Sequence, residues 1–174
     1  MIETERLIIK PLTYNQLEKY ILNDNSLEEE LNLKETSRSI SPELKEALEQ
    51  TILPNVDDTS KNYLYSTLWT LISKKDNKMV GDLCFVGAPN ADGEIEIGYG
   101  MYDIFAGKGF MTEAVGGMIS WAKKQPEILA IIADTEKQNT ASFRVLEKNG
   151  FVKTGETETL LKWRLSVKSI ENEI

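Results

Sequence analysis

The sequence predicts an α/β domain with a mixed sheet flanked by helices, and three observations carry that expectation. The strand-like EIEIGYGM at 94–101, a helical run from 111 and the apolar LAIIA at 129–133 follow in the order of a parallel crossover. The apolar runs 69–73 and 79–86 are joined by KKDNK, a polar turn segment of hairpin length, which adds antiparallel pairing. A chain of 174 residues, 41% of them hydrophobic, suits one core, so a single domain over 1–174 is expected.

Each element has a local reason. RLIIK at 6–10 is a β-branched run closed by Pro11, which fits a first strand. Leu17, Tyr20 and Ile21 then fall at helical spacing within 14–22. From Ser26 to about residue 52 the chain is rich in Glu, Leu and Lys and reads as helical, with Ser41 and Pro42 as cap and first-turn residue. The charges of that stretch read as a solvated face. NVDDTSKN at 55–62 reads as a loop.

After the hairpin and the loop GAPNADG, the strand 94–101 alternates. Glu94, Glu96, Gly98 and Gly100 share one face, and Ile95, Ile97, Tyr99 and Met101 share the other, so two glycines open a groove on the first. The helix 111–124 carries Met111, Ala114, Val115, Met118 and Ala122 on one stripe, with Lys123 and Lys124 at its C-terminal end. A second helix spans 140–148 and ends at Asn149, Gly150 and Phe151, where glycine tolerates a left-handed backbone. Strands at 152–158 and 160–167 follow.

Composition excludes whole classes of chemistry. Histidine is absent and Cys84 is the lone cysteine, which removes disulfides, Cys/His zinc sites and every His-based triad. Cys84 sits among strand-like apolar residues and reads as core filler rather than a nucleophile. A net charge of −8 argues against a nucleic-acid partner and leans toward a cationic acceptor. No apolar run approaches the ~20 residues of a membrane span, and the charged N-terminus lacks a signal-peptide core, so a cytoplasmic protein without a membrane partner is expected.

Gly107, Lys108 and Gly109 lie between a strand and a helix start. Unpaired first-turn amides carry partial positive charge there, and glycine admits an anion to them, so the segment suits a pyrophosphate as well as a plain turn. The common phosphate loops GxxxxGK[ST] and GxGxxG do not fit.

EIGYGMYDIFAGKGFMTEA, followed by NTASFRVLEKNGF, resembles the acetyl-coenzyme A (acetyl-CoA) binding core of the GNAT acetyltransferase superfamily. TERLIIKPL resembles the branch holding the ribosomal-protein N-acetyltransferases. The likeness runs from Thr4 to about Leu165 and is weakest over 26–62. It implies the GNAT fold: a central mixed, mostly antiparallel sheet with a splayed pair of strands. It also implies acetyl-CoA as cosubstrate, no metal, an amine acceptor, and is compatible with a homodimer. The family's pyrophosphate loop falls on 106–111, with Ala106 in place of the usual Gln or Arg and Met111 in place of a small residue. Gly107, Lys108 and Gly109 form this loop, and the amides of Phe110, Met111 and Thr112 face the phosphates. The resemblance further places Gly100, Met101 and Tyr102 along the pantetheine arm and Asn139 and Ser142 at the thioester end.

Acetyl transfer to an amine needs an oxyanion donor, a proton for the leaving thiolate and a base for the ammonium. The N–H of Met101 is the expected oxyanion donor. Relatives supply the thiolate's proton from a tyrosine whose position here holds Leu146, and Ser142, one turn earlier, is the replacement; it could equally be a helix-packing residue. Asn139 could equally be a helix cap. Glu96 is the candidate base because it shares the glycine face, with Glu94 next to it, against the alternative of a solvated strand face. The missing tyrosine and Ala106 keep a non-catalytic acyl-CoA sensor in view, and a nucleotide-binding regulator is a third reading.

Overall fold

The computed structural model describes residues 1–168; residues 169–174, the end of the expected 1–174 domain, lie outside it. Its strands are β1 (Ile2–Glu3), β2 (Leu7–Pro11), β3 (Leu68–Ser73), β4 (Lys78–Phe85), β5 (Glu94–Met101), β6 (Ala130–Glu136), β7 (Val152–Glu156) and β8 (Leu160–Ser166). They form one sheet in the order β1-β2-β3-β4-β5-β6-β8-β7. Every pairing is antiparallel except β5 with β6. That parallel pair is joined by α5 (Phe110–Ala122), which confirms the crossover read from the sequence.

Helices cover both faces. α5 and α6 (Thr140–Lys148) lie on one, where Met111, Ala114, Val115, Met118 and Ala122 pack with Leu83, Ile95 and Ile97. On the other lie α1 (Tyr14–Leu22), α2 (Ser26–Glu30), α3 (Pro42–Ala47) and α4 (Leu53–Asp57), and Leu17, Tyr20 and Leu27 of this layer, with Leu48 between α3 and α4, meet Leu68, Ile72 and Met79. α1 has the predicted bounds because Thr13 and Gln16 close a capping box at its start and Asn23 ends it in a left-handed conformation. Trp121 near the end of α5 stacks on Phe85 at 5.7 Å and meets Trp69 edge-on at 5.4 Å, fixing the helix against β3 and β4.

The acidic stretch departs from the expectation of one helical run. α2 ends early, Asn32 is left-handed (φ +55°), and residues 32–40 hold no helix. Their backbone is engaged elsewhere: Lys34 N–H donates to the Asn77 carbonyl and Asn77 Nδ2 to the Asn32 carbonyl, both at the β3–β4 turn. The charges there are not all solvated either, because Glu28 and Arg38 form an ion pair with side chains only 1% exposed. Helix also extends through Asn55 to Asp57, where a loop was expected. Pro54, lacking an N–H, is accommodated because it follows a wider π-helical turn, Leu48–Ile52, and stands at the first positions of α4.

Candidate active site

The sheet comes apart where the site lies. β5 and β6 pair only from Glu94–Ala130 to Glu96–Ile132, although β5 runs on to Met101 and β6 to Glu136. Beyond Glu96 a gap therefore opens through the sheet. Backbone direction in β5 can be read from its bonds: the Glu96 carbonyl accepts from Val86 N–H at 2.9 Å and Tyr102 N–H donates to the Val80 carbonyl at 3.0 Å, so even-numbered residues address β4. Odd-numbered residues face the other way, as the Gly93 carbonyl shows by accepting from Leu129 and Ala130. The N–H of Met101 points into the gap.

A cleft of about 330 Å³ follows this gap along the α5–α6 face. Of the residues singled out from the sequence, it brings together Gly100, Met101, Gly107, Lys108, Gly109, Phe110, Met111, Thr112, Asn139 and Ser142. Gly107 and Gly109 both hold left-handed backbone (φ +77° and +78°), which an L-residue adopts at a cost of about 1–2 kcal/mol. A Cβ on Gly107 would meet nothing within 4 Å, so conformation, not crowding, requires glycine there. No side chain caps the start of α5, leaving its first-turn amides for a ligand. Lys108, Arg144 and Lys148 also line the cleft, three cations in a chain of net charge −8. Open backbone, a helix N-terminus and clustered cations fit a pyrophosphate.

The pattern described as "Acetyltransferase (GNAT) domain" matches residues 6–152. The chain belongs to the GNAT acetyltransferases. An uncharacterized N-acetyltransferase of Bacillus subtilis, YjdG, is 32% identical over 95 residues, 55% of this chain and 56% of that one. The chain spans about half the length of the curated relatives it matches. Among solved structures, the ribosomal-protein-S5-alanine acetyltransferase of Vibrio fischeri superposes with a TM-score of 0.65 over 94% of both chains at 22% identity. RimL, a ribosomal L7/L12 alpha-N-protein acetyltransferase solved with coenzyme A, gives 0.66 over 94% of this chain and 95% of that one at 16% identity. These two likenesses show the GNAT fold.

Beside Ser142 the cleft holds a residue that was not among the candidates singled out from the sequence. Tyr99 lines the cleft, and its hydroxyl donates to the Ser142 carbonyl at 2.7 Å while Ser142 Oγ donates back to it at 3.4 Å. Burial pushes the Tyr99 phenol above its ordinary value, against a smaller opposing effect of Ser142, so it stays protonated at neutral pH. The signal was present in the period-two pattern, which puts Tyr99 and Met101 on one face. Arg144 and Lys148, spaced i, i+4 on α6, are the other additions. Leu146 is fully buried and faces the core. Asn139 caps α6, its Oδ1 accepting from Ser142 N–H at 3.1 Å, and lines the cleft as well.

Glu96 and Tyr102 do not line this cleft. Glu96 sits at the last rung before the gap, half-buried, on the face that also carries Cys84. That face is open: a Cβ on Gly100 would touch nothing within 4 Å, and one on Gly98 only Cys84 Sγ at 4.0 Å. Glu94 is committed, with Arg164 Nε donating to it at 3.1 Å and Asn90 at 3.3 Å, which hold its carboxyl below the usual range. Tyr102 turns its hydroxyl to Asp82 Oδ2 at 3.0 Å. Burial pushes the Cys84 thiol up to about 11, reinforced by the charges of Asp82 and Glu96, so it is no thiolate nucleophile at neutral pH. Among the described residues no three His, Cys, Asp or Glu side chains converge as metal ligands, and no helix is long and apolar enough to cross a membrane.

Proposed function

We propose that this GNAT protein transfers the acetyl group of acetyl-CoA directly to a primary amine while both are bound. The observation that carries the reading is the uncapped start of α5, flanked by the two left-handed glycines and opening onto a cleft with three cations. Acetyl-CoA supplies the activated acetyl thioester; the chain supplies placement and proton management. The loop glycines and the amides of Phe110, Met111 and Thr112 hold the pyrophosphate, with Lys108 beside them. Gly100, Met101 and Tyr102 are assigned to the pantetheine side through the β5 backbone. The Met101 N–H, pointing into the gap, stabilises the charge developing on the carbonyl oxygen, an effect of about 3 kcal/mol for a well-placed donor.

Ser142 donates to the departing sulfur, and the Tyr99 hydroxyl, 3.4 Å from Ser142 Oγ, is a second hydroxyl beside it. Asn139 fixes the start of α6 and so the place of Ser142. Glu96, at the vertex of the gap, accepts the proton that the ammonium must shed, directly or through one water. The acceptor is an amine of the kind found at a protein N-terminus or in a small cationic molecule. A screen of peptides with free α-amino groups, polyamines and aminoglycosides, read by thiol release from acetyl-CoA, tests this. Turnover with one class supports it; tight binding of coenzyme A without turnover on any amine makes the chain an acyl-CoA sensor instead.

A further inference from the structure

A side chain from the far end of the sequence is built into the phosphate loop. Arg6, just before β2, sends Nη1 to the Lys108 carbonyl at 2.9 Å, between the two left-handed glycines. Its guanidinium lies 4.6 Å above the ring of Phe110, the first residue of α5. Nε donates to Glu113 Oε1 at 2.9 Å, and the backbone N–H of Arg6 and the hydroxyl of Thr4 donate to Oε2 at 3.0 and 2.7 Å. Nη2 stands 3.4 Å from the point a Cβ on Gly109 would take. Arg6 also faces a second recess, of about 380 Å³, that shares Lys108 and Phe110 with the cleft.

Glu113 poses the problem that this arrangement solves. A carboxylate in the first turn of a helix sits well with the helix dipole but repels an anion seeking the same amides. We propose that Arg6 is a positioning residue for the pyrophosphate: it pins the Lys108 carbonyl away from the amides and cancels the charge of Glu113, leaving the α5 N-terminus net positive. The inference rests on the reading of the cleft as a coenzyme A site. Arg6 touches none of the reacting groups, so its effect belongs in ligand affinity and not in the chemical step.

The test is titration of coenzyme A by calorimetry together with steady-state kinetics, on variants whose folding is checked by urea unfolding. Arg6→Ala is expected to weaken coenzyme A binding and raise KM for acetyl-CoA by about tenfold, with kcat and the KM for the amine within about twofold. Arg6→Lys, which keeps the charge without the fork, falls between. Adding Glu113→Gln to Arg6→Ala removes the uncancelled carboxylate and recovers most of the affinity, which a mere brace would not allow. Unchanged affinity in Arg6→Ala, or no recovery in the double variant, overturns the inference alone. Failure of the unsubstituted protein to bind coenzyme A overturns the reading of the cleft and the inference with it.

Discussion

Asp82 lies on β4 directly across from Gly100, so its ionisation bears on the strand that presents the Met101 amide. The residue is 7% exposed. Tyr20 from α1 and Tyr102 from the end of β5 both donate to Oδ2, at 2.6 and 3.0 Å, while Oδ1 is buried without a partner, as is the hydroxyl of Thr70 across the ladder. Burial raises the Asp82 carboxyl from 3.8 to about 6, more than the two tyrosines and Arg38 lower it. Because the folded value is the higher one, the native state takes up a proton between those two values that the unfolded chain does not hold. Stability from this group is therefore greatest in acid and lost as pH rises through about 6. A gap of about two pH units corresponds to about 3 kcal/mol overall, and about 2 kcal/mol of it falls between pH ~4.5 and ~7.5.

Asp82→Asn removes the titration and keeps an acceptor for both tyrosines. Urea unfolding of both proteins at the two pH values isolates the effect, since carboxyls held low by partners, such as Glu94 and Glu156, lose stabilisation in acid equally in each. The expected result is that the variant gains about 2 kcal/mol relative to the parent on going from the lower to the higher pH. A stability difference that stays flat across that range would refute the argument that burial governs this carboxyl.

Further outcomes follow from the cleft. Gly109→Ala and Gly107→Ala each force a side chain into left-handed backbone and should each lose about 1 kcal/mol by urea unfolding. Coenzyme A affinity should fall further for Gly109→Ala, whose Cβ lands beside Arg6; equal affinities would reduce both glycines to turn formers. Ser142→Ala and Tyr99→Phe should lower kcat by about tenfold or more with little change in the KM for acetyl-CoA, measured by thiol release; intact kcat in both would leave these hydroxyls as links between β5 and α6. Glu96→Gln should lower kcat/KM by about 10²-fold near neutral pH and recover at high pH, where the amine arrives uncharged; a wild-type profile would place the base elsewhere.

What could be read in advance was what local periodicity and caps encode. α1 falls where the spacing of Leu17, Tyr20 and Ile21 puts it, and α6 where Asn139 and the glycine after Asn149 put it. The alternation of EIEIGYGM also placed Ile95 and Ile97 in the core and opened the glycine face. Long-range partners were illegible. Nothing near Glu28 announces that Arg38 will bury with it, or near Arg6 that it will grip Glu113, 107 residues away in the first turn of α5. Tyr102 was expected along the pantetheine arm, but it does not line the cleft, and its hydroxyl belongs to a carboxylate that also binds Tyr20 from another layer. β6 ran beyond the apolar LAIIA because Asp134 and Glu136 alternate outward from a strand whose inner face still buries Thr135.

The gap between β5 and β6 gives these pieces a common logic. A sheet that parts after one short parallel pairing presents two faces to the same opening. On the α5–α6 face stand Lys108, Arg144 and Lys148 with the helix N-terminus, a field that favours an anion. On the opposite face the register that pairs Glu96 with Ile132 carries Asp134 and Glu136 to the same side, and Lys162 approaches only Asp134, at 3.4 Å. Carboxylates thus border the opening on the face where Arg164 and Lys162 are engaged by Glu94 and Asp134. In the proposed reaction the two substrates carry opposite charge and must meet at one carbon without exchanging places. On the proposed reading, the cations on the α5–α6 face guide the anionic substrate and the carboxylates on the other face the cationic one, with Glu96 taking the proton of the amine as it nears the thioester. On that face a Cβ on Gly100 would project into open space, with nothing within 4 Å of it.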